Sequence, residues 1–321
     1  MKTKVLTLTL LAGCAMAISA PLVKQEATVA IPRDFTGQRL PRFKNGLVLV
    51  YDFNLAKVWA YDRTGKTLLS LSLSVPNTVR MHITDIAAAP DGTVAVSASA
   101  FDGDGNGAPV IFWISPAGAV TRIVRLAPFS ASRVVFANDG SLWAAGRIYR
   151  QEGVRFETAP EYDVLRHYDS QGRLLGSVVP NTTFASAPQN PALYSFLIGG
   201  QNRIGFLSLD AKEYVEVSLS GKMLGDWKIH TSLPFHVGDV MGAALTASGS
   251  VFLSLPPHPD LNTPYQGPPL YKLDKASGAL QPADLSVDTP VTKPSVLIGG
   301  DGDKLVFYSK PPASVSWFAV Q

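Results

Sequence analysis

Short apolar runs, each followed by a glycine-bearing turn and a second apolar run, recur along the whole chain. One such unit appears in "RFKNGLVLVYD", "DIAAAPDGTVAVSA", "RVVFANDGSLWAAG", "FLIGGQNRIGFLSL", "GAALTASGSVFLSL" and "VLIGGDGDKLVFYS". Its turns fall at Gly46, Gly92, Gly140, Asn202, Gly249 and Gly302. Gly and Asn accept the positive φ that a tight hairpin needs. A second unit follows each of the first five: "VWAYDRTGKTLLSLSL", "IFWISPAGAVTRIVRL", "LRHYDSQGRLLGSVV", "YVEVSLSGKMLGDWKI" and "LYKLDKASGALQPADL". Each repeat therefore predicts four short strands, A to D. No stretch carries a helical period, so the fold class is all-β.

The sixth repeat lacks a second hairpin. The two turns of repeats one and four are 19 residues apart, and 19 beyond Gly302 is Gln321. "SVSWFAVQ" thus reads as the C strand of repeat six, with no D strand behind it. A surplus strand, "EATVAIP", lies ahead of repeat one. Pairing the two gives a six-bladed β-propeller of four-stranded antiparallel blades, closed by an N-terminal strand against the C-terminal blade. Closure also covers an edge that would otherwise invite aggregation. The DG-turn and YDxxG-type hairpins resemble those of the six-bladed propellers related to TolB, NHL and SMP-30 proteins. The resemblance spans residues 26–321 and is one of repeat grammar; the acidic and Asn metal set of SMP-30-type lactonases has no clear match.

The first residues change the picture of where the protein works. "MKTKVLTLTLLAGCAMA" has a basic start, a short apolar core and small residues after it, the pattern of an export signal. Leu11-Ala12-Gly13-Cys14 resembles a bacterial lipoprotein box, with Cys14 the lipidated residue; cleavage after Ala17 is the alternative. The expected organisation is a leader over 1–13, a tether over 14–25 and one propeller over 26–321. The expected location is the periplasm or a lipid-anchored place on the membrane. Cys14 is the only cysteine, so no disulfide or thiol chemistry is open to the domain.

Composition narrows the partners. Net charge is +3, and removing Lys2 and Lys4 leaves 26 basic against 25 acidic residues. That balance, with no basic cluster, argues against nucleic acid. Apolar residues make up 46% and charged residues 17%, as in a folded, turn-rich domain. A closed ring has few free edges and needs no second copy, so a monomer is expected.

Candidate chemistry gathers on one face. The long insertions are B–C connections ("FDGDGNGAP", "RQEGVRFETAPEY", "PPHPDLNTPYQGPP") and D–A links, which share a face of a propeller. Elaborated loops on a rigid scaffold are where function tends to sit. Asp102, Asp104 and Asn106 in "DGDGNG" match the opening of a calcium loop, although Val110 and Trp113 stand where later ligands belong. A flexible hairpin tip is the competing reading. His82, His230, His236 and His258 fall on connections assigned to the elaborated face, and Tyr265 lies in the longest of these loops, while His167 lies in a C strand. Asp85 and Arg133 occupy equivalent places at the channel mouth on adjacent blades, where Ser195, Gly242 and Ser295 are their counterparts. An ion pair locking two blades is the structural reading; a substrate clamp is the functional one. Trp59, Trp113 and Trp317 are expected to fill the space between blades.

Catalytic residues cannot be named: nucleophile elbows, phosphate loops and acid/base pairs are all missing from the sequence. Two functions follow. The first is a non-catalytic scaffold in the cell envelope whose long loops hold a polypeptide or glycan. The second is a metal-dependent hydrolase or lactonase working at the channel mouth.

Overall fold

The computed structural model of the protein describes residues 22–30, 41–152, 155–230, 242–254, 270–286, 295–309 and 313–320. Cys14, His236, His258 and Tyr265 lie outside the described residues. Strand β1 is Leu22–Ala30. Blade one is β2–β5 (Arg42–Lys44, Leu47–Asp52, Lys57–Tyr61, Thr67–Ser72) and blade two is β6–β9 (Arg80–Ala88, Val94–Phe101, Gly107–Ile114, Val120–Arg125). Blade three holds β10 (Phe129–Phe136), β11 (Leu142–Glu152), β13 (Asp163–Tyr168) and β14 (Leu174–Pro180); β12 (Arg155–Thr158) pairs only with the far end of β11. Blade four is β15–β18 (Ser195–Gly199, Arg203–Ser208, Glu213–Ser218, Met223–Lys228) and blade five is β19–β22 (Gly242–Leu245, Val251–Ser254, Leu270–Leu273, Leu280–Ser286). Blade six is β23 (Ser295–Asp301), β24 (Lys304–Ser309) and β25 (Ser314–Val320), completed by β1. The fold is the six-bladed ring that the repeats predict.

The inner strands read as largely apolar runs because both of their faces are covered, whereas outer strands such as β9 and β18 are mostly exposed and mixed in polarity. In β3, Leu49 and Tyr51 face blade two while Val48 and Val50 face blade six. Six buried clusters result, one in each seam between neighbouring blades. Fully burying one such side chain is worth about 1.5–3 kcal/mol, so the seams hold the ring together. Trp59 and Trp317 lie in the seam between blades one and six, and Trp113 in that between two and three. Trp317 meets Phe43 edge-on at 5.6 Å between centroids.

Ring closure takes the expected form and goes further. Ala27–Ala30 pair antiparallel with Trp317 back to Ser314, and a shift in register between Gln25 and Ala27 lets Val23–Gln25 continue along Val320–Phe318. Residues 22–25, placed in a tether by the sequence reading, therefore belong to the strand. Leu22–Lys24 also pair in parallel with Asp284–Ser286 of β22. Blades five and six thus share one sheet through β1. The strand's far end packs on blade one: a Cβ on Gly65 would lie 2.5 Å from the Ala30 carbonyl oxygen.

Candidate functional site

The channel is built by the six A strands. Side chains from all six blades line its core, among them Arg42, Asp85, Arg133, Phe196, Ala243 and Ile298, and they leave a cavity of only about 20 Å³. The charged residues form clamps from blade to blade. Arg42 of blade one meets Asp85 of blade two, Nε to Oδ1, at 3.5 Å. The Val134 N–H of blade three donates to Asp85 Oδ2 at 3.0 Å. Arg133 donates through Nε to the Ser195 carbonyl of blade four at 2.7 Å, and through Nη1 to the Ser132 carbonyl at 2.8 Å. The Arg42 guanidinium also lies over the Phe196 ring, 5.5 Å from its centroid. Asp85 and Arg133 both line the channel core, and each bonds the backbone of the next blade. Asp85 is 4% exposed, and its Oδ1 accepts no hydrogen bond from a described residue.

The "DGDGNG" stretch is a hairpin turn joining β7 to β8. Asp102 Oδ1 accepts the backbone N–H groups of Asp104 (3.0 Å) and Asn106 (2.8 Å), and Asn106 Nδ2 donates to Oδ2 at 3.0 Å. Those bonds hold the carboxyl below the usual range, Asn106 contributing most. The backbone closes through Gly105 N–H to Asp102 C=O and Asp102 N–H to Asn106 C=O. The same pattern builds the C–D turns at Asp62–Lys66 and Asp169–Arg173, each with glycine at positive φ in the fourth place. The sequence match to a calcium loop is thus accounted for by turn chemistry. Among the described residues no group of three or more His, Cys, Asp or Glu side chains could hold a metal ion.

The three described histidines, His82, His167 and His230, do not converge. His82 is in β6, not on a connection, because its strand starts at Arg80 and pairs along its whole length with β7. Its ring stacks on Phe53 at 4.5 Å and meets Phe101 at 5.4 Å, and burial lowers its pKa. His230 is exposed at the end of blade four, its N–H donating to the Gly278 carbonyl at 2.8 Å. His167 is half-buried in β13 and stacks on Trp143 at 4.3 Å.

An open site does lie on the B–C face. A cleft of about 560 Å³ separates blades two and three, walled by Phe101, Gly107, Pro109, Pro128, Ser130 and Tyr149. Arg80 lies over the Phe101 ring at 4.7 Å and Arg147 over the Tyr149 ring at 4.3 Å. The "RQEGVRFETAPEY" insertion beside it is the β11–β12 hairpin, with Tyr149 opposite Thr158 and Glu152 opposite Arg155. Sequence reasoning singled out neither aromatic nor either arginine: Phe101 opens the "FDGDGNGAP" insertion and Tyr149 precedes "RQEGVRFETAPEY", and nothing in the sequence marks either as the wall of a cleft.

No protein family matches the chain, and no curated protein sequence matches it. Solved structures of similar shape include a catalytically inactive virginiamycin B lyase from Staphylococcus aureus with quinupristin (12% identity, 91% of this chain and 83% of that one, TM-score 0.48). A putative gluconolactonase is 14% identical over 93% of this chain and 92% of its own, at TM-score 0.46. A gluconolactonase from Xanthomonas campestris is 11% identical over 92% and 98%, at TM-score 0.42. Similarities this low carry no chemistry across. On its own strand pairing, the chain is a six-bladed β-propeller.

Proposed function

We propose that this propeller is a non-catalytic binding module of the bacterial cell envelope, exported by its leader and recognising a polypeptide through the B–C face. The observation that supports it is the cleft between blades two and three. Its volume suits a protruding side chain or two, its walls are aromatic and prolyl, and two guanidinium groups stand at its aromatic rings. An extended segment carrying an apolar residue beside acidic ones is the complementary chemistry. The channel core is filled by clamps that hold blades together, leaving too little space for a substrate there.

Selection from a random peptide display library tests this reading, using the wild-type protein and a Phe101→Ser/Tyr149→Ser double variant of matched melting temperature. An acidic–apolar motif enriched by the wild type and lost by the variant is the expected result. Enrichment of nothing, or equal enrichment by both proteins, overturns it. Capture of oligosaccharides alone on a parallel glycan array would also overturn it.

A further inference from the structure

The opposite end of the channel, where the A–B turns meet, opens into a cavity of about 310 Å³. Lys44, Asn138, Gly200, Gln201, Gly300 and Gly302 are among its walls. Lys44 lines both this cavity and the channel core beneath it. Its ammonium makes no hydrogen bond or ion pair with any described residue. The nearby charges do not answer it. Arg42 and Arg133 lie in the core below, with Asp85 the carboxylate among them, already engaged by Arg42 and the Val134 N–H. Asp301 in the cavity wall is engaged too, by Arg63 at 2.7 Å and by Trp317 Nε1 at 3.1 Å.

Burial and the charge of Arg42 push the Lys44 ammonium down to about 8, against the pull of Asp85. It is therefore still mostly protonated at neutral pH, a half-buried cation with no counter-ion among the described residues. A partly desolvated charge of that kind favours a partner of opposite sign. At Gly302 an added Cβ would meet nothing within 4 Å, whereas at Gly200 and Gly300 it would meet Leu245 at 2.8 and 2.9 Å, so these glycines let the turns close around the cavity.

We propose that this cavity binds a small organic anion, a carboxylate or phosphate ester of a few carbon atoms, with Lys44 as its counter-charge. The site faces away from the cleft described above and does not depend on the role assigned to it. A ligand here would be gripped by one ammonium, neighbouring amide groups and the net positive field of the channel.

Titration calorimetry of the full propeller with citrate, gluconate and inorganic phosphate tests the proposal. The wild type should bind at least one probe at a single site, more weakly as salt rises. Lys44→Met should weaken that binding by about 30-fold or more, while Lys222→Met, at an exposed lysine on a C–D turn, should leave it unchanged. Selective binding of phosphate marks the site as one for phosphate esters; selective binding of citrate or gluconate marks it for carboxylates. If Lys44→Met does not fold, amide shifts in the wild type on adding probe supply the same answer: they should centre on Gly200, Gly300 and Gly302. Binding of no probe, binding undiminished by Lys44→Met, or shifts centred elsewhere would overturn the proposal.

Discussion

Lys275, on the C–D turn of blade five, reaches the carboxylate of Glu216, in the third strand of blade four, across 59 residues of sequence. Glu216 is buried, and two further donors complete its shell: Arg203 Nη1 at 3.1 Å and the Tyr214 hydroxyl at 2.9 Å. The Lys275 ammonium also lies 5.2 Å from the centroid of the Trp227 ring. This polar staple sits beside the apolar seam between blades four and five and fixes their relative register.

Removing the centre of that shell strands two cations and a hydroxyl. Glu216→Ala should cost about 3–5 kcal/mol. Lys275→Met leaves Arg203 on the carboxylate and should cost only about 1–2 kcal/mol. Urea unfolding of the two variants checks the order; equal losses would mean the residues do not act as one shell.

Gly65 and Gly140 both sit in hairpin turns at positive φ, +84° and +80°. A methyl group at Gly140 meets nothing within 4 Å, whereas at Gly65 it meets the Ala30 carbonyl at 2.5 Å. Gly140→Ala should therefore show only the backbone penalty, roughly 1–2 kcal/mol. Gly65→Ala should show that penalty and a further loss from displacing β1. In a chain beginning after Ala30 the difference between the two substitutions should vanish, as melting curves of the four proteins would show.

Glu213 gives blade four a pH dependence. Burial, then the hydrogen bond and charge of Asp226, raise its pKa from 4.5 to about 7, with Lys228 opposing. The folded state thus holds a proton that the unfolded state releases. The contribution to stability is complete below 4.5 and is lost as pH climbs through 7. Its size is roughly 1–2 kcal/mol after solvent screening. Glu213→Gln should flatten the profile between pH 5 and 8, read as urea midpoints at each pH.

Asp102 separates turn chemistry from metal binding. Asp102→Ala removes the acceptor of two backbone N–H groups and one side-chain amide. A modest fall in melting temperature, the same with calcium as with chelator, is expected. A fall seen only with calcium would restore Asp102 as a ligand.

The blade count and the closing strand were legible in the sequence because tight turns demand glycine or asparagine, which leaves a regular mark. The B–C face was legible as the site of insertions, but the β11–β12 hairpin within one of them was not. Its residues from Arg150 to Thr158 are mostly polar, and the alternation of Val154-Arg155-Phe156-Glu157-Thr158 is too short to set a strand apart from an insertion. Arg42 and Lys44 escaped for a different reason. Blade one turns on Asn45 and Gly46 alone, with Lys44 opposite Leu47, whereas blade two closes its turn through Ala89 and Thr93. The equivalence that runs from Asp85 to Arg133 and on through the later repeats therefore has no counterpart in blade one, and Arg42 and Lys44, whose charges act on or are acted on by Asp85, pass unmarked. The parallel contact between β1 and β22 leaves no sequence mark, since it depends on how two blades meet in space.

That contact bears on how the ring would answer a pull. At Leu22–Lys24 the strand is gripped on both flanks, by β22 through Leu22–Lys24 and by β25 from Val23 onward. A pull along β1 would have to tear two ladders at once before any seam could part.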